Sequence, residues 1–113
     1  MPLLSIETNA PLPNDPDQLT GELSGALAKW LAKPEAYVMI RIHHNPNMRF
    51  AGSTEATAYC ELKSIGLPEA SAGQLSRALC ERLQQALAIP PSRVYIEFTD
   101  APRKFWGWNG ATF

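Results

Sequence analysis

The chain has 113 residues, 45% of them apolar, and ten basic against eleven acidic side chains for a net charge of −1. That length holds one domain with a real core and no second one, and the balanced charge supplies no field for nucleic acid or an anionic membrane surface. No apolar run is long enough to span a bilayer, and no basic stretch followed by an apolar one opens the chain, so the expectation is a soluble, cytoplasmic protein.

Met1 and Pro2 precede a strand-like run from Leu3 to Thr8. Once Met1 is removed, Pro2 is a secondary amine at the terminus, and an apolar pocket lowers its pKa because desolvation disfavours the charged form. An ordinary α-amino group titrates near ~8, and a depression of about two units raises the unprotonated fraction at neutral pH from roughly a tenth to roughly nine tenths. That is the state a general base needs. With Met1 attached, the same nitrogen is an amide and no base.

Asp15 as N-cap, Pro16 at the first helical position and Gln18 in the capping-box position open a helix whose Leu19, Leu23, Leu27, Trp30 and Leu31 share one face. Pro34 ends it, and Lys33 stands at that end. Tyr37 to Ile42 is β-branched and apolar enough for a strand. His43 and His44 follow at its end, before the turn Asn45-Pro46-Asn47, and read as a surface loop.

Thr57 to Ile65 is the next strand. Ser71 and Gln74 then occupy capping-box positions ahead of Leu75, Leu79, Leu83 and Leu87, which recur at spacing four. Pro90-Pro91 stops this helix and Val94 to Phe98 is the closing strand. Cys60 and Cys80 form no C-x-x-C and have no histidines at metal spacing, so they read as reduced core or interface residues and no metal site is expected. The tail from Trp106 to Phe113 sets the hairpin dipeptide Asn109-Gly110 between short aromatic arms, which should dock on the sheet or on a neighbouring subunit.

The order strand, helix, strand occurs twice, and the junctions Lys33 to Val38 and Pro90 to Tyr95 are loosely alike. The fold class expected is α+β: two βαβ repeats forming a four-stranded mixed sheet with two antiparallel helices on one face, since the right-handed crossover forces both helices to the same side. The run Tyr37 to Ile42 carries large apolar residues at both parities, with only Arg41 breaking the pattern. Both sheet faces are therefore expected to be covered, the second by a partner chain in a closed homo-oligomer.

Pro2 with Ile6 and Thr8-Asn9, Lys33-Pro34 with Tyr37, Phe50-Ala51-Gly52-Ser53-Thr54-Glu55, Leu62-Lys63-Ser64-Ile65-Gly66, Arg93-Val94-Tyr95-Ile96 and Gly107-Trp108-Asn109-Gly110-Ala111-Thr112-Phe113 together resemble the macrophage migration inhibitory factor family of the tautomerase superfamily. The likeness runs along the whole chain. It implies a homotrimer with its active sites between subunits and keto–enol tautomerisation of a small α-keto acid such as phenylpyruvate, with no metal or organic cofactor. By this resemblance Pro2 is the base, Lys33 holds the substrate carboxylate, and the backbone N–H of Ile65, beside Ser64, helps hold the substrate. Tyr95 reaches in from the adjacent subunit, and Tyr37, Met39, Trp108 and Phe113 line the pocket. It also implies an alternative, a cytokine-like ligand for a cell-surface receptor, exported without a signal peptide.

The chain departs from the animal members of that family at Glu97, where they carry asparagine, at Lys63, where they carry histidine, and at Trp106, where they carry a smaller apolar residue. Glu97 should repel anionic substrates unless it is paired; Lys63 is one candidate partner, with a solvated surface pair the equal alternative. Trp106 should narrow the pocket mouth or change its aromatic preference. The thiol motif of the animal cytokine is absent, because Thr57-Ala58-Tyr59-Cys60 keeps only the second cysteine, which disfavours thiol oxidoreductase chemistry.

Overall fold

In the strand Leu3–Thr8 (β1), Leu4, Ile6 and Thr8 are buried while Leu3, Ser5 and Glu7 are half-buried, the alternation of a strand with one face in the core. A computed structural model describes all 113 residues. β1 is followed by α1 (Pro16–Leu31), β2 (Met39–His44), β3 (Ala58–Ile65), α2 (Ala72–Leu87), β4 (Val94–Ala101) and a small hairpin, β5 (Gly107–Trp108) with β6 (Ala111–Thr112). The main sheet has the order β2-β1-β3-β4. β1 and β2 are parallel, β3 and β4 are parallel, and the central pair β1 and β3 is antiparallel. This is the expected pair of βαβ units.

The repeat extends to the joints. Both helices have sixteen residues; Ala32 ends α1 and Ala88 ends α2, each in the left-handed region, with φ of 52° and 56°. Pro34 and Pro90 follow at the same spacing, and each leads into a single 3₁₀ turn, Glu35–Tyr37 and Pro91–Arg93. Leu23, Leu27, Leu79 and Leu83 pack with Leu4, Ile6, Cys60 and Leu62 in one core between the helices and the sheet. Leu79 is fully buried, so Leu79→Ala is expected to cost about 2–5 kcal/mol through lost burial and the cavity left behind. Urea unfolding at matched protein concentration measures it.

Three local expectations change. Tyr37 is not in a strand, because its N–H bonds to the carbonyl of Pro34 at 3.1 Å and closes the 3₁₀ turn; the strand starts at Met39 and runs on to His44. Ser71 makes no side-chain cap, since a 3₁₀ turn, Glu69–Ser71, runs directly into α2 and leaves Ser71 in helical geometry. β4 continues past Phe98 to Ala101, paired with β3 along its whole length.

The helix-free face also differs from the expectation of an apolar layer. Ile40 and Ile42 pack toward the core, so of the apolar run only Met39 stands on the open face, beside exposed Arg41. Ser5, Glu7, Glu61, Lys63 and Glu97 make the middle of that face polar. Apolar side chains collect at two diagonal corners, Leu3 beside Met39 and Tyr59 beside Tyr95. Cover is thus needed at the corners, not across the sheet.

Candidate active site

Pro2 lies at the head of β1 and is fully buried. Its carbonyl accepts the N–H of Met39 at 2.9 Å, which carries the β1–β2 ladder back to the terminus. The Met1 ammonium donates to the Tyr37 carbonyl at 2.6 Å. Burial, and then the positive charge of Lys33, hold that amine below the ordinary α-amino range. Lys33 reaches this position because the chain leaves α1 through left-handed Ala32, with the Lys33 N–H bonded back to the Ala28 carbonyl at 3.0 Å.

Tyr37 joins the terminus to the tail. Its ring stands edge-on to Trp108 at 5.5 Å and to Phe113 at 5.8 Å, and those two rings stack at 5.7 Å. The tail can return because Asn109 and Gly110 take φ of 53° and 76°, the tight hairpin turn that this dipeptide favours. Phe113 N–H closes onto the carbonyl of Trp106 at 3.2 Å, so Trp106 forms the base of the hairpin.

On the other side of β1, the register pairs Leu3 with Lys63. Continued outward, it sets Pro2 opposite Ser64 and Met1 opposite Ile65. Ser64 is buried, with its hydroxyl 3.4 Å from the Ile65 carbonyl. Pro2, Lys33, Tyr37, Met39, Ser64, Ile65, Trp108 and Phe113 therefore gather at one end of the sheet.

Two expected residues do not join them within the protomer. Tyr95 pairs with Tyr59 near the start of β3, four residues or about 13 Å along the strand from the pair Lys63 and Thr99. It is 64% exposed, with its ring edge-on to Phe50 at 4.8 Å. Glu97 lies opposite Glu61, and the Tyr59 hydroxyl is 3.5 Å from its carboxylate. Lys63 pairs with Glu61 at 3.1 Å and not with Glu97, because the parallel register puts Thr99 beside Lys63. Desolvation first, then Glu61 and Glu97, raise the Tyr59 hydroxyl pKa above its usual value.

The five cavities of the protomer, the largest of about 310 Å³ between Leu67 and Phe98, include neither Pro2 nor Lys33. The site is thus an open flank of one protomer. No three His, Cys, Asp or Glu side chains converge at metal-ligand distances. Burial pushes the Cys60 thiol up to about 12 and raises that of Cys80, the opposite of a reactive thiolate. What the flank offers is an amine environment that favours the neutral base, a lysine cation and an aromatic wall. That set fits a small anion bearing an apolar or aromatic group.

Comparison with known proteins gives one consistent result. The family model "Macrophage migration inhibitory factor (MIF)" matches residues 1–113. Macrophage migration inhibitory factor of Xenopus tropicalis is 39% identical over 114 residues, covering 100% of this chain and 99% of that protein, and that of Meriones unguiculatus is 37% identical with the same coverage. The crystal structure of the homologue from Prochlorococcus marinus superposes with a TM-score of 0.94 at 44% identity over 98% of both chains. The Trichinella spiralis protein superposes at 0.91 and 31%.

Proposed function

The chain belongs to the macrophage migration inhibitory factor family, and on that premise we propose that it is a cofactor-independent tautomerase of phenylpyruvate-type α-keto acids, with Pro2 as general base once Met1 has been removed. The observation that carries the reading is the terminal amine, hydrogen-bonded to the Tyr37 carbonyl and held low by burial and then by the charge of Lys33. The same surroundings act on Pro2 when it becomes the terminal residue.

In the ketonising direction, Pro2 takes the enol hydroxyl proton and returns a proton to the adjacent carbon as the carbonyl forms; in the reverse direction it removes that carbon proton and the oxygen is protonated. Lys33 pairs with the substrate carboxylate, the Ile65 N–H adds a hydrogen bond, and the rings of Tyr37, Trp108 and Phe113 receive the aryl group. Met39 closes the edge of that pocket, and Trp106 restricts its mouth.

The fourth wall comes from assembly into a homotrimer, in which Tyr95 of a neighbouring protomer brings its hydroxyl to the reacting oxygen. Exposed Met39 at one corner of the sheet and Tyr95 at the opposite one support such an assembly, in which each corner would be covered by a neighbouring protomer. The same arrangement leaves Glu97 on the helix-free sheet surface, with Glu61 held by Lys63.

The test uses one sample for two measurements: intact mass to score loss of Met1, and conversion of enol phenylpyruvate and hydroxyphenylpyruvate to their keto forms. The methionine-free protein is expected to turn them over and the methionine-bearing protein to be inert. Equal rates from both forms would refute the role of Pro2.

A further inference from the structure

Tyr95 stands on an exposed corner of the sheet, yet its ring is not left to sample its rotamers freely. Phe50 meets it edge-on at 4.8 Å and 83°. Phe50 is itself fixed by a tight turn: Phe50 and Ser53 exchange two backbone hydrogen bonds of 2.9 Å, with Ala51 and Gly52 between them at φ of 52° and 75°. Ala51 pays for that geometry with a left-handed backbone that a β-carbon disfavours, so something must hold the turn in place.

Arg93 does so. Its Nε donates to the Ala56 carbonyl at 2.9 Å, Nη1 to Phe50 at 3.1 Å, and Nη2 to Ser53 and Glu55, each at 3.1 Å. One guanidinium thus collects four carbonyls of a single loop, and its carbon lies 5.3 Å over the Phe50 ring. The base of the arginine is anchored as well, its N–H bonded to the Pro90 carbonyl at 2.9 Å and its own carbonyl accepting the Thr57 hydroxyl at 2.7 Å. Only a planar fork with several donors can do this; a lysine offers a single ammonium with no fixed plane.

We propose that Arg93 is a positioning residue for Tyr95: by clamping the loop from Phe50 to Ala56 it seats Phe50 against the Tyr95 ring, and so fixes where that hydroxyl is presented to the neighbouring protomer's Pro2 site. The proposal rests on the tautomerase reading above. It adds that the rate depends on a guanidinium that touches no substrate.

Arg93→Lys and Phe50→Leu, prepared methionine-free and with unchanged circular dichroism and trimer size, are each expected to lower kcat about tenfold with KM within about twofold, as misplacement of a reacting group does. Phe50→Tyr, which keeps the ring, restores most of the rate lost in Phe50→Leu. In a Tyr95→Phe background, where no hydroxyl remains to be placed, the same two changes cost less than about twofold. Equal losses in both backgrounds, or a change in KM instead of kcat, would overturn the proposal.

A measurement that needs no turnover separates it from the parent reading. With 3-fluorotyrosine incorporated, the ¹⁹F resonance of Tyr95, assigned by its absence in Tyr95→Phe, is expected to move toward the unfolded-chain position in both Arg93→Lys and Phe50→Leu. A resonance that neither change moves overturns the clamp whatever the turnover. Wild-type protein inert toward keto acids, with the resonance moving as stated, overturns the Pro2 reading and the catalytic half of the proposal together.

Discussion

Pro2→Gly in the methionine-free protein is expected to lower phenylpyruvate turnover by about 10²–10⁴-fold, the usual contribution of one positioned general base. Glycine leaves an amine at the terminus, so the substitution does not simply delete nitrogen. It replaces a secondary amine on a rigid ring with a primary amine on the most mobile residue, and it empties space that Pro2 fills completely. The Met39 N–H still has a carbonyl to bond, so the head of β1 should stay paired with β2. The loss should therefore fall on kcat, with the assembly intact by size-exclusion chromatography. Steady-state kinetics on material whose mass confirms an exposed glycine decides it, and unchanged turnover would assign the base elsewhere.

Lys33→Met is expected to have two separable effects. The first is a fall in kcat/KM at neutral pH of about 10–10²-fold, the worth of one charge-assisted hydrogen bond to the substrate carboxylate. The second concerns pH. On the proposed role the unprotonated amine of Pro2 is the active form, so the rate is expected to rise as pH passes upward through its pKa; burial first and then Lys33 hold the Met1 amine below the ordinary α-amino range, and the same two influences are expected to act on Pro2 once Met1 is gone. Taking away the cation raises the pKa, so the acid limb of the profile moves to higher pH. Burial, the larger cause, remains, so the limb stays short of the free-amine value. Lys33→Arg keeps the charge and should leave the limb in place while weakening substrate binding. A profile that is the same with and without a cation at position 33 would show that Lys33 does not act on the base.

The parts of this fold that the sequence made plain are those encoded within a few residues. The leucines at helical period, Pro16 behind Asp15, and Asn109-Gly110 between aromatic arms are local statements, and the Asp15 carboxylate does accept the Gln18 N–H at 3.3 Å. Its reciprocal half was not legible: the Gln18 side chain turns to Glu22, at 3.3 Å, instead of back to the cap. Tyr37 lies outside the strand for a similar reason. Its aromatic, β-favouring character spoke for a strand, while the carbonyl of Pro34, three residues away, captured its N–H.

Parallel register is a long-range property, and no spacing rule pairs position 63 with 99 instead of 97. That Glu97 is not the partner of Lys63 depends on this register, whereas the partner it does take, Glu61, stands two residues back on the same face of the same strand. Arg93 was visible in the sequence only as one residue of a longer motif. The signal that distinguishes it is a set of four carbonyls on one loop looking for donors, and carbonyls are the same at every residue. The approach of Lys33 and Tyr37 to Pro2 did follow from topology, since a parallel βαβ unit must bring the end of its helix back to where its first strand began, whereas the docking of the tail on Tyr37 did not.

The two bare corners of the open sheet face differ in kind: one is aliphatic, from Leu3 and Met39, and the other is phenolic, from Tyr59 and Tyr95. A surface with unlike ends is a plug and a socket. Plug can meet socket mutually in a twofold pair or head to tail in a closed ring, and both arrangements leave no corner of either kind uncovered. In either, the phenolic corner covers an aliphatic one that belongs to another protomer, so on the role proposed for Tyr95 a single damaged protomer would silence a seat that is not its own.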